Sequence, residues 1–405
     1  MGYAIGLGNF WRFPYLMNTY GGSVFLIPYL LAMVFLGIPM VIMEITLGQY
    51  FQRGDIGVFK GIHPRLGGIG ITSIWSGYAI QAYYVVIICW AMVYLGMSFV
   101  SPLKWSAEGQ GEVSVGCSTQ SPQYIFLYKD VIQSVDSECR EYTTADDSFI
   151  VFPTLIALIV QYILIFLITM KGTKSAGFIV YLTVPMPVIL ILIMLIRGAT
   201  LEGAGDGIIW YLSGFPGGPT VVEQLKNPSI WSDAVGQIFF SLGICMGVLT
   251  SLSSYNKKEK PILADAHILP ILNSTVSLFA GFAVFTIIGY LRTKYPDQET
   301  KSSSFALAFE AYPTALLEIK GSNFWCFLLF LTLFSLGLDT AFTTVEAFST
   351  VIYDYIFIKD VRKIRREFIA AGICITGFLC SLPFCLNTGL IWMNTVDHYV
   401  SNYLL

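Results

Sequence analysis

Ten apolar segments, each long enough to cross a bilayer, constrain this chain more than any other feature of its sequence. A hydrocarbon core about 30 Å thick needs about 20 apolar residues per helix. Only 12% of the 405 residues are charged, whereas a soluble protein carries about a quarter. The sequence therefore predicts an all-α, polytopic membrane protein, because only helices or closed barrels satisfy their backbone groups in lipid. The segments, called spans 1 to 10, lie near 2–17, 23–50, 73–102, 149–170, 176–197, 233–256, 267–291, 323–350, 367–386 and 388–405.

Lysine and arginine mark one side of the predicted membrane protein. If the N-terminus is cytoplasmic, every short inner loop is positive, as the positive-inside rule requires. Loop 103–148 then faces outside, and its acidic residues are Glu108, Glu112, Asp136, Glu138, Glu141, Asp146 and Asp147. The basic residues of the inner loops are Arg53, Lys60, Arg65, Lys171, Lys174, Lys257, Lys258, Lys260, Lys359, Arg362, Lys363, Arg365 and Arg366.

The sequence also excludes several classes of function. It has no basic stripe or motif that reads nucleic acid, no ligand spacing typical of a metal cluster, and no nucleophile beside a base. Cys117 and Cys139 are the two cysteines of loop 103–148 and could form a disulfide in an oxidising compartment. We therefore expect a protein that is not an enzyme and binds no nucleic acid.

Spans 1 and 6 contain residues that a simple membrane anchor would avoid. Span 1 has three glycines, Asn9 and Arg12 near its start, and span 6 has Gly243 and Gly247 beside Gln237. Glycine weakens helices, and Asn and Arg are costly in hydrocarbon. Paired interruptions five spans apart indicate an inverted-repeat transporter with its site at the breaks. The alternative is close helix packing through small residues, but the polar neighbours favour a site.

Several motifs place these interruptions in a family. The run GLGNFWRFPY (6–15) resembles the first-helix signature of the neurotransmitter:sodium symporter family, and QIFFSLG (237–243) resembles its sixth helix. LNSTVSLFAGF (272–282) and SLGLDTAFTTVE (335–346) are similar to its seventh and eighth helices. These motifs follow the family's order over nearly the whole chain.

The resemblance implies a leucine-transporter-like fold, an inverted repeat of five plus five helices with broken first and sixth helices. The first half would be 1–197, including loop 103–148, and the second 198–405. Against the family's twelve helices, the chain would be truncated within helices 1 and 10 and would lack helices 11 and 12. We therefore expect the chain as written not to transport by itself.

The resemblance also implies two sodium sites, and carbonyl, amide, hydroxyl and carboxylate oxygens suit this hard cation. Asp339 is credible by itself, because a carboxylate within an apolar span is functional by default; the alternative is a protonated or Lys-paired carboxyl. The first site would use Ala4, Asn9, Ser241 and Asn273, and the second Gly2, Ile5, Leu336, Asp339 and Thr340.

A chloride site follows from the same resemblance, with Tyr29, Gln237, Ser241 and Ser277 as its ligands. Chloride-independent relatives carry a carboxylate where Ser277 stands. A hydroxyl there implies an exchangeable anion that balances the sodium charge. Without the resemblance, a serine bonded back to its own helix would be the simpler explanation.

Gly6 indicates the substrate class. Amine-carrying relatives have Asp there, whereas Gly6 leaves room for an anionic group of the substrate. The backbone N–H groups of Leu7 and Gly8 at a helix start, and the Tyr84 hydroxyl, would hold that anion. We expect a small zwitterion of the non-aminergic amino acid, GABA, taurine and glycine branch. Further lining candidates are Ile80, Phe240, Gly243, Met246, Ala341 and Thr344.

Two gates complete the predicted site. By resemblance, Arg12 and Asp397 would close the outer side, and Tyr255 and Asp354 the inner side. Taken singly, a charged residue near a helix end is usually a snorkelling side chain. Glu44 in span 2 matches a family carboxylate and is given no ligand role.

The predicted function is sodium- and chloride-coupled symport of a small amino acid, ω-amino acid or osmolyte by alternating access, in the plasma membrane. Na⁺ and Cl⁻ are the bound ions. The partners are the small-molecule substrate and membrane lipid, with a homo-oligomer left open. Two alternatives remain: a non-transporting ligand sensor or scaffold of the same fold, and a leaky, channel-like conductance.

Overall fold

The computed structural model describes residues 2–111, 117, 120–142, 148–172, 177, 181, 183–214, 220–294, 307–358 and 365–400. Within these ranges the chain is mostly helical, with two isolated β-bridges and no strand. Part of the predicted orientation depends on charged residues outside these ranges, namely Lys174, Lys359, Arg362, Lys363, Glu112, Asp146 and Asp147.

The membrane-length helices follow the predicted order of spans. Six helices of the described ranges are long and apolar enough to cross a membrane. A seventh is counted if Pro185–Ala199, which is span 5, and Ala204–Ser213 form one span despite a bend of 113°. The uninterrupted helices of spans 2, 3, 4, 7, 8 and 9 are Gly22–Phe51, Gly67–Met97, Phe152–Thr169, Leu263–Lys294, Ser322–Ile358 and Arg366–Ser381.

Spans 1, 6 and 10 contain shorter helices. In span 1, residues 2–6 form turns, and the helix begins with the π-helical Gly8–Arg12 and continues as Phe13–Thr19. Span 10 is described over Gly389–Tyr399. Span 6 is Pro228–Leu242 and Val248–Ser253, separated by five non-helical residues. The break predicted in span 6 is therefore confirmed.

Several short helices of the described ranges have no counterpart among the predicted segments, and four of them are α-helices of six to ten residues. They lie in the connections between spans and pack against longer helices: Asp55–Ile62 against span 3, and Ala204–Ser213 against span 7. Their short lengths leave little hydrophobic pattern to detect. The other two are Val221–Lys226 and Tyr312–Leu317. The division into halves at 197–198 stays a prediction.

Spans 3 and 8 pack against each other at the centre of the molecule. In the most apolar window of each, 72% of the residues are buried, against 33% in span 2. Within span 3, Trp90 is 2% exposed and Trp75 is 66% exposed. Spans 3 and 8 therefore supply the interior surfaces beside the breaks, while span 2 is largely peripheral.

Loop 103–148 contains a disulfide and packs against span 3. Cys117 and Cys139 form a disulfide with 5.3 Å between their Cα atoms, so the pairing that the sequence left open is present. Trp105 is fully buried, and its ring centroid lies 5.1 Å from that of Tyr94 in span 3. The loop is thus anchored at one end of the helical core.

Candidate functional site

The two breaks meet at the centre of the molecule. The hydroxyl of Tyr3 donates to Sδ of Met246 across 3.3 Å, and the Tyr3 ring fills the space where a β-carbon on Gly243 would lie. Gly243 and Gly247 have φ of 65° and 70°, a left-handed backbone that glycine adopts without steric cost. The glycine pair therefore permits both the break and the close approach of span 1.

Glu44 holds the middle of the span 6 break. Cys245 also has a left-handed backbone, with φ of 64°, although it carries a β-carbon. Its N–H donates to Oε1 of Glu44 across 2.7 Å, and Glu44 is 6% exposed. Glu44, which the resemblance left without a ligand role, thus satisfies a backbone donor that the break leaves outside the helix.

Three predicted ligands of the first sodium site form one hydrogen-bonded group. Asn9 donates from Nδ2 to Oδ1 of Asn273 at 2.7 Å, and Ser241 donates to the same oxygen at 3.0 Å. Oδ1 of Asn9 accepts from the N–H of Gly6 at 3.0 Å. All three side chains are buried, and Ala4 is buried in the adjoining turn. The arrangement concentrates hard oxygen donors, which fits a sodium ion.

The second predicted sodium site faces the same turn from span 8. A β-carbon on Gly2 would lie 3.2 Å from Oδ2 of Asp339. Asp339 is 2% exposed, and its Oδ1 has no hydrogen-bond partner. Thr340 donates to the Leu336 carbonyl at 3.3 Å, and Ile5 is buried. A buried carboxylate oxygen without a partner fits a cation ligand, because an uncompensated charge there is costly.

The predicted chloride ligands are brought together less completely. Ser277 accepts from Nδ2 of Asn9 at 2.8 Å, so it adjoins the first sodium group. Gln237 donates to the Gly8 carbonyl at 3.1 Å, and its Oε1 has no partner. Tyr29 shares a hydrogen bond of 3.0 Å with Ser274, which the sequence did not indicate. Nδ2 of Asn273 is a buried donor without a partner, which suits an anion.

A cavity of about 30 Å³ lies between spans 1, 3, 6 and 8. It has room for about two water molecules. Leu7 donates its N–H to the Tyr84 hydroxyl at 3.4 Å beside it. Gly243 contacts Tyr3 but does not line the cavity. Ala341, another predicted lining residue, does not line the cavity either. The remaining predicted substrate residues line it, namely Gly6, Leu7, Gly8, Ile80, Tyr84, Phe240, Met246 and Thr344.

Three lining residues were missed by reasoning from the sequence. They are Tyr3, Gly77 and Gln81. Gln81 is 3% exposed and donates from Nε2 to the Ala341 carbonyl at 3.3 Å, joining spans 3 and 8. An amide within an apolar span was a detectable signal. Gly77 and Tyr3 carried no motif of their own.

The predicted gate residues have other partners in this structure. The Arg12 guanidinium lies 4.9 Å from the ring centre of Phe240, and Asp397 accepts from Tyr83 at 2.7 Å. No ion pair between Arg12 and Asp397 is among those of the described ranges. The outer gate therefore stays a prediction.

At the inner side, the two predicted residues are likewise not joined to each other. Asp354 accepts from the N–H of Gly54 at 2.9 Å. The Tyr255 hydroxyl shares a hydrogen bond of 2.7 Å with Thr350 and accepts from Arg366. The inner gate also stays a prediction.

Comparisons with known proteins agree with this arrangement. The human sodium- and chloride-dependent neutral and basic amino acid transporter B(0+) is 34% identical over 443 residues, which cover 100% of this chain and 68% of that protein. The sodium- and chloride-dependent GABA transporter 2 of Bos taurus is 34% identical over 417 residues, covering 99% and 67%. The chain thus spans about two thirds of the length of these relatives.

A solved structure and a family model extend the comparison. The crystal structure of MhsT in complex with L-phenylalanine superposes with a TM-score of 0.80 at 24% identity, covering 100% of this chain and 84% of that one; this likeness concerns the fold alone. The model of the sodium:neurotransmitter symporter family matches residues 1–405. A match over the whole chain, together with two transporters at 34% identity, shows that the chain belongs to the sodium:neurotransmitter symporter family.

Proposed function

We propose that the protein is a sodium- and chloride-coupled symporter that carries a small zwitterion into the cell by alternating access. The main observation behind the proposal is that two unwound segments, residues 2–6 and 243–247, contact each other. A buried group of amide and hydroxyl oxygens, of the kind that bind sodium, lies beside them. Each sodium ion entering down about 100 mV contributes about 2.3 kcal/mol before its concentration term. Two such ions would drive substantial accumulation of substrate.

Ions would bind on both sides of the turn 2–6. The first sodium site would lie at Asn9, Ser241 and Asn273, and the second at Asp339, whose unpartnered Oδ1 supports it. Chloride would lie near Ser277, within the same hydrogen-bonded group as Asn9. Close spacing of cation and anion would let each favour binding of the other.

The substrate would present its anionic group to Leu7, Gly8 and Tyr84. Gly6 carries no carboxylate that could pair with an amine, and a β-carbon there would lie 2.8 Å from Oγ1 of Thr340. A zwitterion that brings its own carboxylate therefore suits the cavity better than a biogenic amine. The relatives named above include carriers of amino acids and of GABA, and we favour a small ω-amino acid or osmolyte.

The proposed location is the plasma membrane, with the N-terminus in the cytoplasm. The disulfide between Cys117 and Cys139 supports an extracellular loop 103–148, because disulfides persist in oxidising compartments. The positive loops would then face the cytoplasm.

Uptake measurements would test the function directly. Labelled glycine, proline, GABA, taurine, β-alanine, creatine and leucine would be offered to cells expressing the full-length protein, in sodium chloride, sodium gluconate and choline chloride. We expect uptake of one or two zwitterions that is lost when sodium or chloride is removed. Surface protein without sodium-dependent uptake would contradict the proposal and favour the ligand sensor. Currents without stoichiometric uptake would favour the conductance.

The chloride part of the proposal has its own test. Ser277→Glu would place a fixed anion where the exchangeable one is proposed. We expect uptake by this variant to persist in sodium gluconate. The control is Ser274→Glu, which places the same carboxylate on a nearby serine of span 7 and should not relieve the chloride requirement. Chloride dependence that is unchanged in Ser277→Glu, at normal surface expression, would move the anion site elsewhere.

A further inference from the structure

A second group of buried polar side chains surrounds the span 6 break and is not used by the proposed ion or substrate sites. Two carboxyl groups belong to it. Glu44 lies in span 2, and Asp55 is the first residue of the helix Asp55–Ile62. They are 6% and 4% exposed, and each has one oxygen, Oε2 and Oδ1, without a hydrogen-bond partner. Both therefore present an unpartnered polar atom inside the protein.

Asp55 lies directly against the end of the break. Its Oδ2 accepts from Oγ of Ser73 at 2.5 Å and would lie 3.0 Å from a β-carbon on Gly247. The hydroxyl of Thr250, in the second helix of span 6, faces the same carboxyl group. Asp55 therefore lies beside the start of this helix.

Span 3 connects this group to the cavity. Ser76 donates to the Cys245 carbonyl at 3.3 Å, and Ser73 lies one turn away on the same helix. Gly77, next to Ser76, lines the cavity. Span 3 thus reaches from the cavity, at Gly77, to Asp55 through the neighbouring hydroxyls of Ser76 and Ser73.

No positive charge is bound to either carboxyl group within the described ranges. Burial raises the pKa of the Asp55 carboxyl above its ordinary value, although hydrogen bonds from Ser73 and Thr250 act in the opposite direction. Several titratable or charged groups lie on the elements packed around Asp55: Glu44 of span 2, Cys245 of the break and Asp354 of span 8. Asp354 accepts from the N–H of Gly54, next to Asp55. The connection between spans 2 and 3, which contains Asp55, also carries the exposed Arg53 and Lys60.

We propose that Asp55 binds a proton while the second helix of span 6 is packed against it, and releases that proton when this helix moves away. A proton on Oδ1 would turn an unpartnered acceptor into a donor, and the Thr250 hydroxyl, which can donate to the ionised carboxylate, would accept from the protonated one. The described residues contain no group of three or more His, Cys, Asp or Glu side chains that could hold a metal ion. The inference rests on the proposed function only in that span 6 moves during transport.

The first test does not depend on transport. Thermal unfolding of the purified full-length protein would be followed between about pH 4 and pH 8. A carboxyl group whose pKa is raised by folding lowers the stability as pH rises from its unfolded pKa through its folded pKa. The unfolding temperature of the wild type should therefore fall over this range, and Asp55→Asn should flatten the fall.

Matched variants make that test decisive. Asp206→Asn alters an exposed carboxyl in the first turn of Ala204–Ser213 and should keep the wild-type slope. Ser73→Ala removes the donor to Oδ2 and so raises the pKa of Asp55 further. The unfolding temperature of this variant should therefore keep falling to higher pH than that of the wild type. If Asp55→Asn cannot be purified, the comparison of Ser73→Ala with the wild type serves as the test. Parallel slopes for the wild type, Asp55→Asn and Ser73→Ala would overturn the proposal, as would a wild type without a slope.

The second test uses sodium-driven uptake into proteoliposomes with the interior buffered at pH 6, 7 or 8. Internal acid should slow wild-type uptake by up to about tenfold per pH unit, the limit for one proton, and Asp55→Asn should be insensitive. Equal sensitivity in both proteins would overturn the proposal. If no variant takes up substrate, the proposed function fails, while the unfolding test still decides the proton site.

Discussion

Gly6 shows how much one missing side chain decides at this site. A β-carbon there would lie 2.8 Å from Oγ1 of Thr340 and 3.4 Å from the Tyr84 hydroxyl. The sequence predicted that Gly6 leaves room for a substrate carboxylate. It did not predict that Thr340, assigned to the second sodium site, also lines the cavity, because that depends on how span 8 is rotated against span 1.

The substitution Gly6→Ala should therefore impair transport more than stability. The methyl group would displace the Thr340 hydroxyl and intrude on the anion position, and we expect kcat/KM for uptake to fall about tenfold, or about 1.4 kcal/mol. Initial uptake rates at several substrate concentrations would measure it. Gly96→Ala is the control, since a β-carbon at Gly96 meets nothing within 4 Å. Equal uptake by both variants would contradict the expectation.

Glu44 allows a prediction about stability. Replacing it by Ala leaves the Cys245 N–H without its partner at 2.7 Å, and an unsatisfied buried donor costs about 1–3 kcal/mol. Glu44→Gln retains an acceptor oxygen and should cost less. Thermal unfolding in detergent would rank the wild type first, Glu44→Gln second and Glu44→Ala last. Equal unfolding temperatures for the two variants would mean that the hydrogen bond from Cys245 to Glu44 does not stabilise the break.

At the scale of elements, the span 6 break was partly readable from the sequence. Gly243 and Gly247 marked its two ends because glycine is the residue that adopts positive φ readily. The left-handed Cys245 between them has no such signal, since Glu44 from another span supports it. A break can thus be located from local residues, whereas its conformation depends on partners far away in the chain.

Substitutions at two glycines with similar backbone conformations distinguish the cost of backbone strain from the cost of a steric clash. Gly243 has φ of 65° and faces the Tyr3 ring, whereas Gly321 has φ of 80° and open space. Gly321→Ala should cost about 1 kcal/mol through backbone conformation alone. Gly243→Ala should cost clearly more and abolish uptake, because Tyr3 must also move. Thermal unfolding and uptake would be measured on both; similar losses would mean that the Tyr3 contact is unimportant.

For the whole molecule, hydropathy was enough to predict the order of the spans, because lipid imposes a length on each helix. The cavity was harder, since Tyr3, Gly77 and Gln81 come to it from two spans through packing alone. Among the ion pairs of the described ranges Arg12 and Asp397 are not joined, and both residues have other contacts, so their pairing stays a prediction. Residue types could be predicted, but which of several partners a charged side chain contacts could not.

The orientation of the molecule gives a prediction that needs no substrate. A short epitope inserted after Gly111, in loop 103–148, should be labelled by antibody on intact cells, because positive loops stay inside. The same epitope inserted after Lys258 should be labelled only after permeabilisation. Both sites are exposed, so access is not limiting. The reverse pattern would overturn the predicted cytoplasmic N-terminus.

The uneven burial of span 3 has a spectroscopic consequence. Trp75 and Trp90 lie on one helix, yet Trp75 is 66% exposed and Trp90 is 2% exposed. In vesicles of brominated phospholipid, fluorescence from Trp75 should be quenched by the surrounding acyl chains, while Trp90 should keep its emission. Proteins that retain only one of these two tryptophans would then report separately on the lipid boundary and on the interior. One helix would thus carry both a probe of the surrounding lipid, Trp75, and an unquenched reference, Trp90.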